Sequence, residues 1–488
     1  MTENSHNSLD PEDWQALRAQ GHRMLDDILD YAQQIRVRPV WQTIPAEVRA
    51  KFQSEVPTAP AELQEVHQQF MDNILPYSVG NSHPGFMGWV QGGGNPVGTL
   101  AEMLAAGLNA NLGGRDHMPI EVERQITRWM SSLFHFPDTA SGLFVTGTSM
   151  ANFIAVLVAR VRALGTEVRQ QGLGAVPQKL VAYTSAGAHG CIAQAMDIAG
   201  LGRNALRVIP MNANFEMDTS QLQVAIEADR AAGLTPFMLV GTAGSVDVGA
   251  IDDLQGLADI ASAEKLWFHI DGAFGAMGIL SAAVAPRLAG IERADSIAFD
   301  FHKWLQVPYD AGFILVRDSA AHYATFATPA SYLRREDQGL AGGSPWPCDF
   351  GPDLSRGFRA LKTWFTLQVY GTKQLGQMIS HTCELGQYLK DCILANPRLE
   401  LLAPVALNIV CFRYRAEGLS AQARDALNAR VAVLVQESGI AAPSTTIIHQ
   451  QLAIRAAIVN HRTTAADIDA LLEITLSIAE QIHISGDY

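Results

Sequence analysis

The chain has 488 residues, 48% of them hydrophobic and 17% charged, which is typical of a globular protein of roughly two or three domains. Its formal net charge of −14 argues against a nucleic-acid partner, because such partners bind basic surfaces. The five cysteines form no CxxC pair and no Cys/His ligand cluster, so we expect reduced thiols in the cytoplasm and no metal site. A signal-peptide pattern and an apolar run long enough for a membrane span are both lacking, so no membrane association is expected.

The first predicted element is an amphipathic helix near the N terminus. Asp10 is a candidate N-cap with Pro11 at the first helical position, and apolar residues recur at helical spacing from Trp14 to Ile28. Little else in this part of the chain offers a surface for that apolar stripe. Residues 1–82 are therefore predicted to form a helical arm that buries its stripe on another domain or subunit.

Strand and helix signals alternate from about residue 140 to residue 318. Segments such as 149–163 and 219–232 predict helices, and short apolar runs between them predict strands. This alternation predicts an α/β domain whose mostly parallel sheet is covered on both faces, with ligand sites at the carboxyl ends of its strands. The predicted strands are 142–146, 180–184, 236–242, 265–270, 296–301 and 312–316.

The stretch 319–357 interrupts this alternation with prolines, glycines and a cluster of charges. A long segment without regular structure inside a compact chain is often functional, so we expect a functional loop here. A helix near 358–395 and a strand at 407–414 indicate a smaller C-terminal α+β domain. The predicted organisation is an arm at 1–82, a large domain at 83–366 and a small domain at 367–488.

One lysine interrupts an apolar run at the end of a predicted strand. In "IAFDFHKWLQ" (297–306), Lys303 stands between a histidine and a tryptophan. Lysine is almost never fully buried unless it is paired. Two interpretations follow from this segment alone: the amine extends to the protein surface, or it is a desolvated nucleophile able to form a Schiff base.

Three further groups follow predicted strands. Thr148 and Ser149 open a helix directly after one strand, Asp271 ends "WFHID" (267–271), and His189 follows a third strand. Each has an ordinary structural explanation: a capped helix start, a paired carboxylate and a structural histidine.

Taken together with the lysine, these groups suit one cofactor, pyridoxal 5′-phosphate. It requires a phosphate cradle, a lysine, a carboxylate opposite the ring nitrogen and a flat group to stack on the ring. NAD suits the sequence less well, since no GxGxxG follows a predicted strand. The glycine-rich "QGGGNPVG" (91–98) is predicted to be a loop.

Several of these motifs resemble those of a known family. "VTGTSMAN" (145–152), "FHIDGAFG" (268–275) and "DSIAFDFHKW" (295–304), in this order, resemble the pyridoxal-phosphate decarboxylases of the aromatic-L-amino-acid, histidine and glutamate decarboxylase group. "AGAHGCIAQAMDIAGLG" (186–202) is similar to that group's segment with a ring-stacking histidine. The resemblance covers most of the chain. It implies the aminotransferase-like fold, fold type I, and a homodimer with a composite active site.

The resemblance also implies roles for individual residues. Lys303 would hold the cofactor covalently, Asp271 would pair with the ring nitrogen, and His189 would stack on the ring. Tyr332, in "TPASYLRRE" (328–336), would protonate Cα after CO2 leaves. The remaining cofactor contacts would be Thr148 and Ser149 at the phosphate with His302 nearby, Thr242 beside the ring substituents, and Ala273 against the ring.

The substrate pocket is less defined by the sequence. Trp89 lies in the family's first pocket segment, and Arg115 and His117 lie in a region that lines the pocket of the partner subunit. These two side chains are either substrate contacts or interface charges. Asp300 stands where animal-type relatives often have asparagine, and its role stays open.

The predicted activity is pyridoxal-phosphate-dependent decarboxylation of an L-amino acid to its amine and CO2, with aromatic amino acids among the candidate substrates. A carbonyl-forming oxidative deaminase or a carbon–carbon lyase on the same scaffold is the enzymatic alternative. A cofactor-binding protein that has lost catalysis is the non-enzymatic one.

Overall fold

The computed structural model of the chain describes residues 8–328 and 335–486. Within these ranges, none of the helices combines the length and the apolar character that crossing a bilayer requires. The fold has an N-terminal helical arm, a large α/β unit and a smaller α+β unit, as the sequence predicts.

Three α-helices lie in the described part of the arm, which begins at residue 8. They are α1 (Trp14–Gln33), α2 (Ala46–Lys51) and α3 (Leu63–Asn73). The prediction of Asp10 as the first N-cap is wrong: Asp13 caps α1, because its carboxylate accepts the backbone N–H groups of Gln15 at 2.8 Å and Ala16 at 3.0 Å. No residue of α1 is buried in the single chain, and Trp14 is 57% exposed.

A seven-stranded sheet forms the centre of the large unit, with the strand order β2-β8-β7-β6-β5-β3-β4. All pairings are parallel except the two made by β8, which runs against both of its neighbours. The carboxyl ends of the other six strands therefore meet at one edge of the sheet. The strands are β2 (Ser141–Val145), β3 (Leu180–Ser185), β4 (Leu206–Ile209), β5 (Thr235–Thr242), β6 (Trp267–Asp271), β7 (Ser296–Asp300) and β8 (Gly312–Val316).

Helices cover both faces of this sheet and bury its apolar side chains in two clusters, which confirms the prediction of a covered, mostly parallel sheet. The α6 helix packs on the face that includes Ala298 and Ile314. The helices are α4 (Pro96–Leu108), α5 (Met118–Leu133), α6 (Thr148–Leu164), α7 (Val168–Gln171), α8 (Cys191–Ile198), α9 (Thr219–Ala231), α10 (Leu254–Glu264) and α11 (Ser319–Phe326).

Part of the segment predicted to be irregular is helical. The α11 helix begins inside 319–357, where the carboxylate of Asp318 accepts the backbone N–H of Ala321 and caps it. Most of the described residues from 335 to 358 lack helix and strand, in agreement with the prediction.

The second sheet has five strands in the order β1-β11-β12-β10-β9 and belongs mainly to the C-terminal part of the chain. Its short first strand comes from residues predicted to belong to the large domain, and pairs in parallel with β11. Helices α13 and α14 pack on this sheet around a third apolar cluster. The elements are β1 (Phe86–Met87), β9 (Leu399–Leu401), β10 (Ile409–Tyr414), β11 (Ala442–Ile448), β12 (Gln451–Ala457), α13 (Ala421–Glu437) and α14 (Ala465–Ser485).

A long helix, α12 (Arg359–Ala395), connects the two units. Its backbone is not helical at Gly371, where φ is 68° and ψ is 158°. This conformation is easily reached only by glycine. The break lies close to the predicted domain boundary between residues 366 and 367, which stays a prediction.

Candidate active site

A cavity of about 390 Å³ opens at the sheet edge where the parallel strands end. Its lining brings together side chains from four strand ends and from the loop that precedes α4. Nine residues predicted from the sequence line it: Trp89, Thr148, Ser149, His189, Thr242, Asp271, Ala273, His302 and Lys303.

The N-terminus of α6 forms one wall of this cavity. Gly147 precedes the helix, and Thr148 and Ser149 are its first two residues. The buried Oγ1 atom of Thr148 has no hydrogen-bond partner in the part of the chain that the structure describes, and the same holds for Oγ1 of Thr242. A helix N-terminus with unpartnered hydroxyls is suited to bind an anion such as phosphate.

Asp271 ends β6 and is only 4% exposed. One carboxylate oxygen accepts the backbone N–H of Ala273 at 3.1 Å, and the other accepts the side-chain amide of Asn152 at 3.1 Å. Burial raises the pKa of Asp271, and the nearby positive charge of Lys303 opposes that rise. A buried carboxylate of this kind is stabilised by a cationic partner such as a protonated ring nitrogen.

Lys303 lies in a turn that begins where β7 ends, because the strand stops at Asp300 instead of continuing to residue 301. Its side chain is 23% exposed, and its Nζ lies 3.0 Å from Oδ2 of Asp300. The amine therefore lies in the cavity and does not extend to the protein surface. The reactive role of Lys303 stays a prediction.

Two histidines flank these groups. His189 is exposed at the cavity, and its Nδ1 accepts the backbone N–H of Cys191 at 3.2 Å. His302 is buried, and its Nδ1 accepts the backbone N–H of Ala311 at 2.9 Å. Burial lowers the pKa of the His302 imidazole. With Nδ1 accepting, the neutral ring of His302 carries its proton on Nε2, and that atom lies 3.6 Å from Asp300.

Asp300 is the main site residue whose role sequence reasoning left open. It is buried, and its Oδ1 accepts the backbone N–H of Thr148 at 2.8 Å, while Oδ2 lies beside Lys303. The carboxylate thus links the start of α6 to the lysine. Its position as a charged residue at the end of an apolar strand was the available signal.

Arg455 was missed altogether. This buried residue of β12 lines the cavity and donates hydrogen bonds to the backbone carbonyls of Gly88, Val246 and Asp247. It ties the second sheet to two loops of the site. No local sequence signal marks it, since it lies about 150 residues beyond Lys303.

The glycine-rich loop is also part of the site. A Cβ atom on Gly92 would lie 2.3 Å from the carbonyl oxygen of His302 and 2.4 Å from that of Lys303. Only glycine allows the loop to lie this close to the lysine turn. The prediction of a loop at 91–98 is confirmed for residues 91–95 and wrong for 96–98, because α4 begins at Pro96.

Two predicted residues with described positions are not brought into the cavity, and a third lies outside the described residues. Arg115 and His117 do not line it; the guanidinium of Arg115 instead lies 4.7 Å from the ring centre of Trp346. Their predicted contribution to the pocket of a partner subunit stays a prediction. Tyr332 lies outside the described residues, so its role stays a prediction as well.

The groups present fit pyridoxal phosphate: an anion site with unpartnered hydroxyls, a buried carboxylate and a lysine share one cavity. Fold and site together define a pyridoxal-phosphate enzyme of fold type I. The family described as the pyridoxal-dependent decarboxylase conserved domain matches residues 45–415, and the chain belongs to this family. It is accordingly a pyridoxal-phosphate-dependent amino-acid decarboxylase.

Individual relatives agree with this assignment. An aromatic-L-amino-acid decarboxylase from Bacillus atrophaeus is 32% identical, with 96% of each chain covered. Tyrosine decarboxylase 4 from Petroselinum crispum is 29% identical over 96% of this chain and 95% of its own. A solved structure from Vibrio parahaemolyticus has a TM-score of 0.85 at 26% identity, with 97% of both chains covered. It is described as the glutamate decarboxylase domain of diaminobutyrate-pyruvate transaminase and L-2,4-diaminobutyrate decarboxylase.

Proposed function

We propose that the chain decarboxylates an aromatic L-amino acid to the corresponding amine. The observation that carries this proposal is the apolar side of the cavity, where Trp89 and Val246 both line the space and remain exposed. Flat apolar surface of this kind suits an aromatic side chain. The names of two relatives, an aromatic-L-amino-acid decarboxylase and a tyrosine decarboxylase, support the same substrate class.

In this proposal the chain's own residues hold the cofactor at three points. Thr148 and Ser149 would bind the phosphate with their hydroxyls, as the unpartnered Oγ1 of Thr148 supports, while the N–H of Thr148 is donated to Asp300. Lys303 would be the residue that holds the cofactor covalently through its amine. His189 would be the residue that stacks on the ring.

Pyridoxal phosphate, when bound, supplies a conjugated ring that accepts the electron pair left behind as CO2 departs. The carboxylate of Asp271 holds a proton at the ring nitrogen, which makes the ring a stronger electron acceptor. The Tyr332 phenol delivers a proton to Cα, completing the amine. Ala273 and Thr242, which line the same cavity, would contact the ring and its substituents.

Measuring CO2 release from purified enzyme tests the substrate class. L-tryptophan, L-tyrosine and L-phenylalanine should be turned over, whereas L-glutamate and L-2,4-diaminobutyrate should not. Trp89→Ala should raise KM for the aromatic substrates more than it changes kcat, because the tryptophan contributes binding surface and no chemistry. Preferential turnover of glutamate or diaminobutyrate would refute the aromatic assignment.

The same assay distinguishes a decarboxylase from the enzymatic and non-enzymatic alternatives. A decarboxylase releases amine and CO2 in equal amounts, whereas a carbonyl-forming enzyme releases aldehyde, ammonia and hydrogen peroxide with the CO2. A carbon–carbon lyase would release no CO2, and a protein that has lost catalysis would turn over none of the amino acids. We expect amine to account for the CO2.

We also propose a homodimer with a composite site. Two apolar surfaces are not covered by any other part of the chain that the structure describes: the stripe of α1, which includes Trp14, and the face of α4 formed by Met103, Leu104 and Leu108. Exposed apolar surface on neighbouring elements is typical of a subunit interface. A cytoplasmic location, supported by five unpaired cysteines, completes the proposal.

Analytical ultracentrifugation at the assay concentration tests the dimer. Leu104→Lys with Leu108→Lys should dissociate it and lower activity, because lysine is unfavourable in an apolar interface. Ile198→Lys and Val224→Lys place the same charges on other exposed apolar positions, and they should leave the dimer intact. A fully active monomer would refute the composite site.

A further inference from the structure

A continuous chain of buried side chains leads to Asp271. Trp267, His269 and Asp271 alternate along β6 and so share one face of the sheet. Ser296 lies directly opposite His269 on β7, and Asn152 comes from α6. Asn152, His269 and Ser296 are completely buried, and the sequence offered no reason to group them.

The links are short hydrogen bonds. Trp267 Nε1 lies 2.8 Å from Ser296 Oγ, which lies 2.8 Å from His269 Nδ1. His269 Nε2 lies 2.8 Å from Asn152 Oδ1, and Asn152 Nδ2 lies 3.1 Å from Oδ2 of Asp271. Four consecutive contacts therefore connect an indole N–H to the carboxylate.

The chemistry of the groups fixes the direction of every proton in this chain. The indole N–H can only donate, so Ser296 Oγ accepts it, and the hydroxyl hydrogen remains free to be donated to Nδ1 of His269. The histidine, which burial keeps neutral, then carries its proton on Nε2 and donates to the Asn152 carbonyl. The opposite arrangement would turn the Asn152 carbonyl towards the Asp271 carboxylate, with two acceptors facing each other.

We infer that Asn152, His269 and Ser296 are positioning residues that orient Asp271 and hold it as a carboxylate for the ring nitrogen of the cofactor. The chain ends in an N–H donated to Oδ2, and a donated hydrogen bond favours the charged form of a buried carboxylate. The thiol of Cys191, 3.9 Å from the same oxygen, adds a weak second donor. The inference rests on the proposed pairing of Asp271 with the ring nitrogen.

Cofactor binding to the apoenzyme tests this role without any turnover. The two probes are pyridoxal phosphate and its deaza analogue, in which a C–H group replaces the ring nitrogen. Asn152→Leu should weaken pyridoxal phosphate binding by about 10- to 100-fold, the usual effect of losing a hydrogen bond to a charged group. The affinity for the deaza analogue, which has no proton to share with Asp271, should change less than about threefold.

Two milder variants keep the test valid if Asn152→Leu folds poorly. Ser296→Ala removes the group that fixes the histidine tautomer and should give a smaller loss with the same preference for the deaza analogue. His269→Gln retains a donor for Asn152 and should restore most of the affinity that His269→Leu loses.

Equal weakening of both probes by Asn152→Leu would show a merely structural role and overturn the inference. Asp271→Asn serves as the reference, because it should weaken only pyridoxal phosphate. If Asp271→Asn affects both probes equally, the pairing of Asp271 with the ring nitrogen is wrong, and the inference fails with it. If Asp271→Asn discriminates and Asn152→Leu does not, only the hydrogen-bonded chain is wrong.

Discussion

Replacing Arg356 by methionine should destabilise the protein strongly. Arg356 and Glu123 form a buried ion pair, with Nη2 2.6 Å from Oε1 and Nη1 3.1 Å from Oε2. The guanidinium also donates to the backbone carbonyls of Leu112 and Phe144, and Glu123 accepts the N–H of Phe144. Removing one partner of such a pair costs about 3–5 kcal/mol, because the other charge stays buried without compensation.

The shift in Tm that this loss of stability causes depends on the unfolding entropy, which increases with the number of residues. At about 2.1 cal/mol/K per residue, 488 residues unfolding as one cooperative unit have an unfolding entropy of about 1 kcal/mol/K. Arg356→Met should therefore lower Tm by about 3–5 °C in scanning calorimetry. The double variant Glu123→Leu/Arg356→Met should be less destabilised than the sum of the two single variants, since no charge is left buried.

A surface pair supplies the matched control. Arg203 and Asp197 lie 3.3 Å apart, but their side chains are 66% and 57% exposed, so Arg203→Met should change Tm by less than about 1 °C. A comparably small shift for Arg356→Met would refute the reasoning. The reasoning would also be refuted if the destabilisation of the double variant equalled the sum of the destabilisations of the two single variants.

Four further predictions concern the site. Borohydride reduction should attach the cofactor to the peptide containing Lys303, and mass spectrometry should find no adduct in Lys303→Ala; an adduct on another lysine would identify that one instead. Asp300→Asn should tighten binding of pyridoxal phosphate about tenfold, but not that of pyridoxal, because a carboxylate hydrogen-bonded to the start of α6 repels phosphate. Weaker binding would show that the carboxylate supports the cofactor. Burial raises the pKa of the Cys191 thiol to about 12, so its alkylation by iodoacetamide at pH 8 should be roughly a thousandfold slower than that of an unperturbed thiol; a fast reaction would contradict this. Tyr332→Phe should slow amine formation by roughly 10²–10⁴ without weakening cofactor binding, measured by product analysis and fluorescence titration; unchanged amine formation would assign the proton to another group.

The positions of the central strands were predictable because buried parallel strands are continuous apolar runs. The run at 312–316 appears in the structure with the predicted bounds. Its antiparallel direction was not predictable, since an apolar run has the same pattern in either direction. β4 (Leu206–Ile209) was missed because it is a four-residue edge strand with only two buried residues.

The site residues also differ in whether a local sequence pattern reveals them. Lys303 and Asp271 were singled out because each is a charged residue that ends or interrupts an apolar run, which needs a local explanation. Asn152 lies inside "TGTSMAN" but was not distinguished from the helix around it. Its role depends on His269 and Ser296, which are more than 100 residues away and were hidden among the strand residues.

The strand order has a consequence for synthesis on the ribosome. Among the described strands, β2 pairs only with β8, and about 170 residues separate the two strands in sequence. At roughly 5–20 residues per second, β2 and the apolar α6 helix wait about 10–30 s before their partner strand emerges. The partner strand of β1, β11, is synthesised even later, so the nascent chain exposes aggregation-prone surface for much of its translation. A chaperone that binds this surface should therefore raise the soluble yield of the protein.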